Sequence, residues 1–420
     1  MEKNKAVSGN SGSFLPLFLV VFLDMVGFGL IIPLLAPLMI DPASAVLPFA
    51  TSHADRIFML GLLLASFSIA QFFGGPILGA LSDRFGRKPV LMLALSGTFA
   101  GYVLFAFGIL MANLPLLFIG RFIGGFMGGS ISVAFSSIAD LSDSKQKAKN
   151  FGMIGMAFGL GFIIGPFLGG KLADDSLVSW FDYSTPFFAA ALLTIINLLM
   201  VLWMFRETIV EKSHVKISLT TGFVNIAKAF SMPSLRTLFA IIFLLTFGFS
   251  FFTQFSQVFL IDRFNFTEPQ IGDLFAFVGI WIAITQGLLT GMVAKKFSPA
   301  QVMKFAPIML AASLFLLVFA FNVPALYAII ALVAISQGLV YPNYSALISD
   351  SAGRESQGEI FGINQSIQSL GLTLPPLISG VIAAADSTMP IVASAFFVFL
   401  AWIGFMAFYK PKAKEVFHEA

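Results

Sequence analysis

The chain has 420 residues, 58% of them hydrophobic and only 11% charged, with 51 phenylalanines and a net charge of +3. So little polar surface excludes a soluble domain and leaves a polytopic membrane protein. There is no cysteine, which excludes a disulfide framework, a thiol nucleophile and a zinc–thiolate centre. His53, His214 and His418 fall singly in predicted loops or the tail, without the paired spacing a metal needs, so no metal site is expected.

A membrane-crossing helix needs about 20 apolar residues. Such runs lie at roughly 14–39, 57–81, 89–111, 115–138, 150–173, 185–205, 236–261, 269–293, 300–321, 324–348, 358–384 and 389–409. Twelve spans are therefore predicted, an all-α polytopic membrane protein. The first run is too long for a cleaved signal peptide and lacks a small-residue cleavage site, so it is expected to remain as the first helix. Lysine and arginine gather at the two ends of the chain and in alternate loops, whereas the opposite side holds only Arg56, Lys171 and Arg263, and Arg121 falls inside a span. By the positive-inside rule both termini are cytoplasmic.

The first span, "FLPLFLVVFLDMVGFGLIIPLLAPLM", carries one carboxylate, Asp24, about 15 Å from its cytoplasmic end. An aspartate at a helix centre costs roughly 2.5–3.5 kcal/mol to insert, so it marks a functional site by default. Asp24 can alternate between a protonated form in apolar surroundings and a carboxylate beside a cation, and so can carry a proton. Arg121, in "LLFIGRFIGGFMGGS" of the fourth span, is the matching intramembrane cation, although an arginine can also snorkel to an interface.

The one long polar connection divides the chain into an N-terminal bundle (1–206), a linker (207–235) and a C-terminal bundle (236–420). Within the linker, Leu219, Phe223, Ile226 and Phe230 recur at helical spacing beside Lys228, which predicts a short helix on the membrane surface. The halves are related at a constant offset: Gly128 matches Gly338, Asp140 matches Asp350, Gly161 matches Gly371, Pro166 matches Pro376 and Gly170 matches Gly380. Two parallel six-helix repeats are the organisation of transporters whose halves rock about a central site.

Between the second and third spans stands "GALSDRFGRKPVL", in which Gly79 permits close helix approach, Gly86 a tight turn, and Asp83 can pair with Arg84, Arg87 or Lys88. The fifth span contains "GLGFIIGPFLGG", which puts Gly161, Gly165 and Gly169 four apart with Pro166 and Gly170 beside them, a stride for backbone-to-backbone packing. The loop string resembles the loop 2–3 motif of the major facilitator superfamily, and the fifth-span string the antiporter motif of its twelve-helix drug/proton exporters. "LDMVGFGLIIPLLAP" is most similar to helix one of the tetracycline-efflux branch, except that Pro37 falls one residue late and Gly101 stands where that branch has an aspartate.

The resemblance implies the major facilitator fold and proton-coupled efflux of small amphipathic or lipophilic compounds, multidrug or tetracycline-like. It also implies a conformational latch between the halves at Asp83 and an arginine of that loop, and proton transfer at Asp24 and Arg121. The second half offers amides and aromatics as a substrate wall: Phe251, Phe252, Gln254, Gln257, Trp281, Gln286, Gln337, Tyr341, Asn343, Tyr344, Asn364, Gln365 and Gln368, the polar ones among them equally suited to interhelical hydrogen bonds. No cofactor is expected beyond a proton gradient. The expected partners are a small-molecule substrate, protons and the lipid bilayer, with no nucleic acid. The protein is expected as a monomer in a bacterial inner membrane. A proton-coupled importer and a non-transporting sensor are the competing readings; an intramembrane enzyme lacks the histidine, cysteine or paired acids it would need.

Overall fold

The computed structural model describes residues 11–141, 147–209, 220–233, 235–351 and 357–410. Its twelve long helices are α1 (Ser11–Ile31, continued through a 3-10 turn to Leu35–Ile40), α2 (His53–Phe85), α3 (Arg87–Leu110), α4 (Leu114–Met127, resumed as Ser130–Leu141), α5 (Lys147–Leu172), α6 (Thr185–Met204), α7 (Arg236–Phe264), α8 (Glu268–Ile284, extended to Ala294), α9 (Pro299–Leu317), α10 (Val323–Ser351), α11 (Gln357–Thr373, resumed as Pro375–Ala385) and α12 (Met389–Phe408). Eleven meet the length and hydropathy of a membrane span over their described residues; the twelfth, α5, is apolar over Met156–Leu172.

Local chemistry sets the ends. The Ser52 hydroxyl accepts from the Asp55 N–H at 3.1 Å, an N-cap that starts α2 one turn ahead of its apolar run. His53, expected in a loop, is therefore the first residue of that helix, and it lies 3.2 Å from Asp262 of α7. At the other end of α2, Gly86 turns with φ +113°, a conformation that favours glycine. There the Glu207 carboxylate accepts from the Arg87 N–H at 2.8 Å and the Lys88 N–H at 3.2 Å, capping α3 from the end of α6. In α8 the residues Thr285–Leu289 form a π turn, and the Thr290 hydroxyl donates to the Thr285 carbonyl across it.

The two halves repeat one packing plan. In the first, α1 packs on α5 and α6, α3 on α4 and α6, and α2 on α4; in the second, α7 packs on α11 and α12, α9 on α10 and α12, and α8 on α10. The halves meet along α5–α8 and α2–α11. Their backbones nearly touch there: a methyl on Gly61 would stand 2.7 Å from the Pro376 carbonyl, and one on Gly170 2.6 Å from that of Glu268.

The end of the bundle where the described residues begin, at Ser11, and end, at Lys410, is termed proximal and the other distal. An apolar core at the distal end joins the halves, with Ile31, Leu34, Leu60, Leu64, Phe105 and Phe187 packed together with Phe255, Val258 and Ala383. Polar bridges ring it. Gln257 donates to the Ile32 carbonyl at 2.6 Å, Lys171 lies 3.5 Å from Asp273, and the Tyr183 hydroxyl donates to Glu268 at 2.5 Å. Burial, and then the negative charge of Glu268, push the Tyr183 phenol above its ordinary range and keep it a donor. Arg56, almost wholly buried, donates to the carbonyls of Met39, Asp41, Pro48 and Thr51 and pins the α1–α2 loop beneath this seal.

The two remaining cores each belong to one half, around α1, α3, α4 and α6 in the first and around α7 to α12 in the second. Nearer the proximal end, the linker forms a helix at Thr221–Ser231; Leu219 lies outside the described residues. That helix touches both halves. Phe223 packs edge-on against Phe72 of α2 with centroids 5.2 Å apart, and Asn225 donates to Ser366 of α11 at 3.1 Å.

Candidate functional site

Asp24 points into the interior of the N-terminal bundle. Val20, Val21, Leu91, Leu95, Ile131 and Ala134 wall the small cavity around it, with Ser130 as its polar neighbour. The Ser130 hydroxyl donates to the Asp24 carboxylate. A break in α4 makes this contact: Gly128 and Gly129 interrupt the helix directly before Ser130, because α4 there runs against the backbone of α2, where a methyl on Gly129 would meet Gly74 and Gly75 at 2.7 Å. On the far side of α1, the buried Asn197 of α6 donates to the Val20 carbonyl at 2.9 Å, and its own oxygen has no protein partner.

Arg121 occupies a second small cavity nearer the distal end, lined by Ile31, Phe67, Gly101, Tyr102, Phe105, Gly120, Gly124 and Phe187. Its guanidinium lies over the Phe67 ring, 4.3 Å from the centroid, and its Nε has no hydrogen-bond partner. A desolvated cation on an aromatic face gains about 2 kcal/mol. Among the described residues Asp24 and Arg121 do not form an ion pair. The phenol of Tyr102, on α3, lines the Arg121 cavity and interacts electrostatically with both charges.

The small residues of α5 close this chamber. A methyl on Gly165 would stand 2.6 Å from Gly29 Cα, and one on Gly161 or Gly169 would collide with Met25 or the Leu30 carbonyl, so α5 meets α1 backbone to backbone. The opposite side of α5 faces the second half. A methyl on Gly272 of α8 would stand 2.5 Å from the Pro166 carbonyl, beside Gly170. One string of glycines thus serves both the bundle interior and the contact between halves.

At the proximal end, Arg87 bridges two acids: it pairs with Asp83 one turn before and with Asp140 of α4 at 2.9 Å, and Thr208 also donates to Asp140. Lys88 donates to the Leu202 carbonyl of α6, whereas Arg84 lies over the Phe85 ring. Gly79 faces the Ser132 hydroxyl across the α2–α4 contact. These contacts lie within the N-terminal half and the first residues of the linker.

The aromatic and amide residues of the second half divide by environment. Gln286, Tyr341 and Gln365 are exposed; Trp281, Gln337, Gln254 and Gln368 are half-buried; Phe251, Phe252, Gln257, Asn343, Tyr344 and Asn364 are buried. Tyr341 meets Tyr344 edge-on at 5.1 Å, and Trp281 packs on Phe277 at 6.3 Å. Phe251 stacks on Phe397 within the C-terminal core, Asn343 donates to the Leu339 carbonyl of its own helix, and Gln254 donates to Ser250 and to the Leu372 carbonyl. Gln257 belongs to the distal seal. Three polar residues of the first half escaped the sequence reading: Ser130, Asn197 and Tyr102. The glycine pair before Ser130 was a legible signal for the first, and Tyr102 is the only tyrosine within the first six spans.

The sequence matches the profile of the Major Facilitator Superfamily over residues 17–371 and 238–419. It is 32% identical to the class C tetracycline resistance protein of Escherichia coli over 374 residues, 88% of this chain and 89% of that one. It is 29% identical to the quinolone resistance protein NorA of Staphylococcus aureus (strain COL), over 89% of this chain and 91% of that one. Among solved structures, the inward-open xylose transporter XylE from E. coli superposes with a TM-score of 0.74 at 18% identity, covering 96% of this chain and 97% of that one, a likeness of fold alone.

Proposed function

Because the chain belongs to the major facilitator superfamily, we propose that it is a proton-coupled antiporter that exports small amphipathic or lipophilic compounds by alternating access. It is a transporter and not an enzyme. The observation that carries the proposal is Asp24, a single carboxylate held by Ser130 inside an apolar chamber, apart from the amides and aromatics of the second half. The tetracycline and quinolone resistance relatives support efflux of this substrate class.

In this reading the distal face is the outside and the termini are cytoplasmic. The sealed distal core then corresponds to an inward-facing state, in which the exposed Gln286, Tyr341 and Gln365 and the half-buried Trp281 and Gln337 present polar and aromatic surface to an amphipathic substrate. In the outward-facing state, protons from outside neutralise Asp24; their release to the cytoplasm lets substrate bind again. The protein works as a monomer in a bacterial inner membrane, driven by the proton gradient without a cofactor.

The test is export of tetracycline and a fluoroquinolone by proteoliposomes under an imposed pH gradient. Asp24→Asn is expected to abolish gradient-driven export at unchanged protein yield. Undiminished export by that variant would sink the proposal.

A further inference from the structure

Asp24 and Arg121 face two separate chambers of the same bundle, and one side chain stands between them. Asp24 shares its cavity with Leu91, Leu95 and Ser130, whereas Arg121 shares its own with Ile31 and Tyr102. Along α1, Ile31 is about 10 Å beyond Asp24, two helical turns. Gly27 lies between them, one turn beyond Asp24 on the same face of α1. A methyl built on Gly27 would stand 3.8 Å from the Tyr102 hydroxyl. The hydroxyl therefore reaches α1 at a level between the carboxylate and the guanidinium.

We infer that Tyr102 is a positioning residue for proton exchange at Asp24, its hydroxyl linking the carboxylate of one chamber electrostatically to the Arg121 guanidinium of the other. Three further observations support this role. Tyr102 interacts with both charges, and its side chain lines the Arg121 cavity. Gly27 leaves room beside the phenol oxygen that a larger residue would fill. Arg121 Nε, a buried polar atom of the second chamber, has no protein partner, and buried polar sites of this kind are where bridging water resides. The link runs through the N-terminal bundle, away from the aromatic and amide wall, so protonation at Asp24 and substrate binding need not share one space.

This inference rests on the antiport reading, and its experiment separates the two. The protonation of Asp24 is followed in purified protein by its carboxyl infrared band, assigned by difference against Asp24→Asn, while gradient-driven export and substrate-for-substrate exchange are measured in proteoliposomes. Tyr102→Phe keeps the ring and removes only the hydroxyl. The protonated band of Asp24 is expected to persist to higher pH in this variant, by about one pH unit, because a dipole that favours the carboxylate has gone. Gradient-driven export is expected to fall about tenfold while exchange changes less than twofold.

A merely structural role would lower both transport modes together and leave the band midpoint where it was; that outcome overturns the inference. So does a Tyr102→Phe protein with parental midpoint and export. If Asp24→Asn uncouples transport while Tyr102→Phe behaves as the parent, the antiport reading stands and this inference falls. If Asp24→Asn exports normally, the antiport reading falls, and the band midpoint still decides whether Tyr102 acts on Asp24.

Discussion

The guanidinium of Arg121 rests on the ring of Phe67, 4.3 Å from its centroid, with no carboxylate of the described residues paired to it. An aromatic face from α2 thus holds a charge carried by α4 inside the bundle. A cation–π contact of this kind contributes about 1–2 kcal/mol when shielded from water. Phe67→Leu preserves an apolar side chain of nearly the same size but loses the ring. It is expected to lower stability by about that amount, read as a drop in thermal midpoint of the purified protein, whereas Phe67→Tyr retains most of the contact.

Gly101 explains why no acid from α3 meets Arg121. A methyl there would stand 2.9 Å from the Gly120 carbonyl and 3.0 Å from the Gly124 N, so α3 and α4 touch backbone to backbone. Placing an aspartate at this position would force the helices apart. Gly101→Asp is expected to cost about 1–3 kcal/mol in overpacking despite the cation nearby. A thermal midpoint equal to or above the parental one would show that charge pairing outweighs the contact.

The glycines of the N-terminal half differ sharply in tolerance. A methyl on Gly165 collides with Gly29 Cα at 2.6 Å and the Val26 carbonyl at 2.8 Å, whereas one on Gly75 of α2 meets nothing within 4 Å. Gly165→Ala is expected to destabilise by about 1–3 kcal/mol and to slow transport, and Gly75→Ala to do neither. Differential scanning fluorimetry of the two variants in detergent checks the contrast.

Asp83 and Asp140 together hold Arg87 at the proximal end. Asp83→Asn weakens one arm and leaves the interior chambers and the second half untouched. Turnover is expected to slow while the relative rates for a panel of compounds stay constant, which parallel export assays with several substrates will show.

The distal seal can be probed through Tyr183, whose hydroxyl donates to Glu268. Since the chain has no cysteine, a single Ser44→Cys, buried in the α1–α2 loop, reports opening of that face by its maleimide labelling rate. Adding Tyr183→Phe is expected to speed labelling several-fold. A phenol whose pKa is raised by folding contributes fully below its unfolded value of about 10 and loses that contribution only as pH rises through the folded value. The ratio of the two labelling rates should therefore stay constant from about pH 6 to 9. A ratio that declines within this window would mean that the phenol ionises below its ordinary value of about 10.

Much of this architecture was legible before any coordinates. Hydropathy marked the long helices because an apolar stretch of sufficient length has few other stable fates, and the spacing of Gly161, Gly165 and Gly169 announced a backbone-to-backbone contact. The helix α2 starts one turn before its apolar run because the Ser52–Asp55 cap is polar and adds nothing to an apolar window. Gln257 read as a candidate for the substrate wall, yet its amide reaches the Ile32 carbonyl across the distal seal, a partner more than two hundred residues away.

What the sequence by itself determined is the inventory: the helices, the repeat, the close-packing glycines, and one acid and one arginine that the membrane interior would not otherwise tolerate. Only the tertiary structure decided where those charges look. Helix length and composition are local properties of the chain, but the rotation of a helix about its axis is set by what packs against it. The glycine contacts of α1 with α5 and of α3 with α4, and the break before Ser130, turn Asp24 and Arg121 into separate chambers of one bundle with Tyr102 between them.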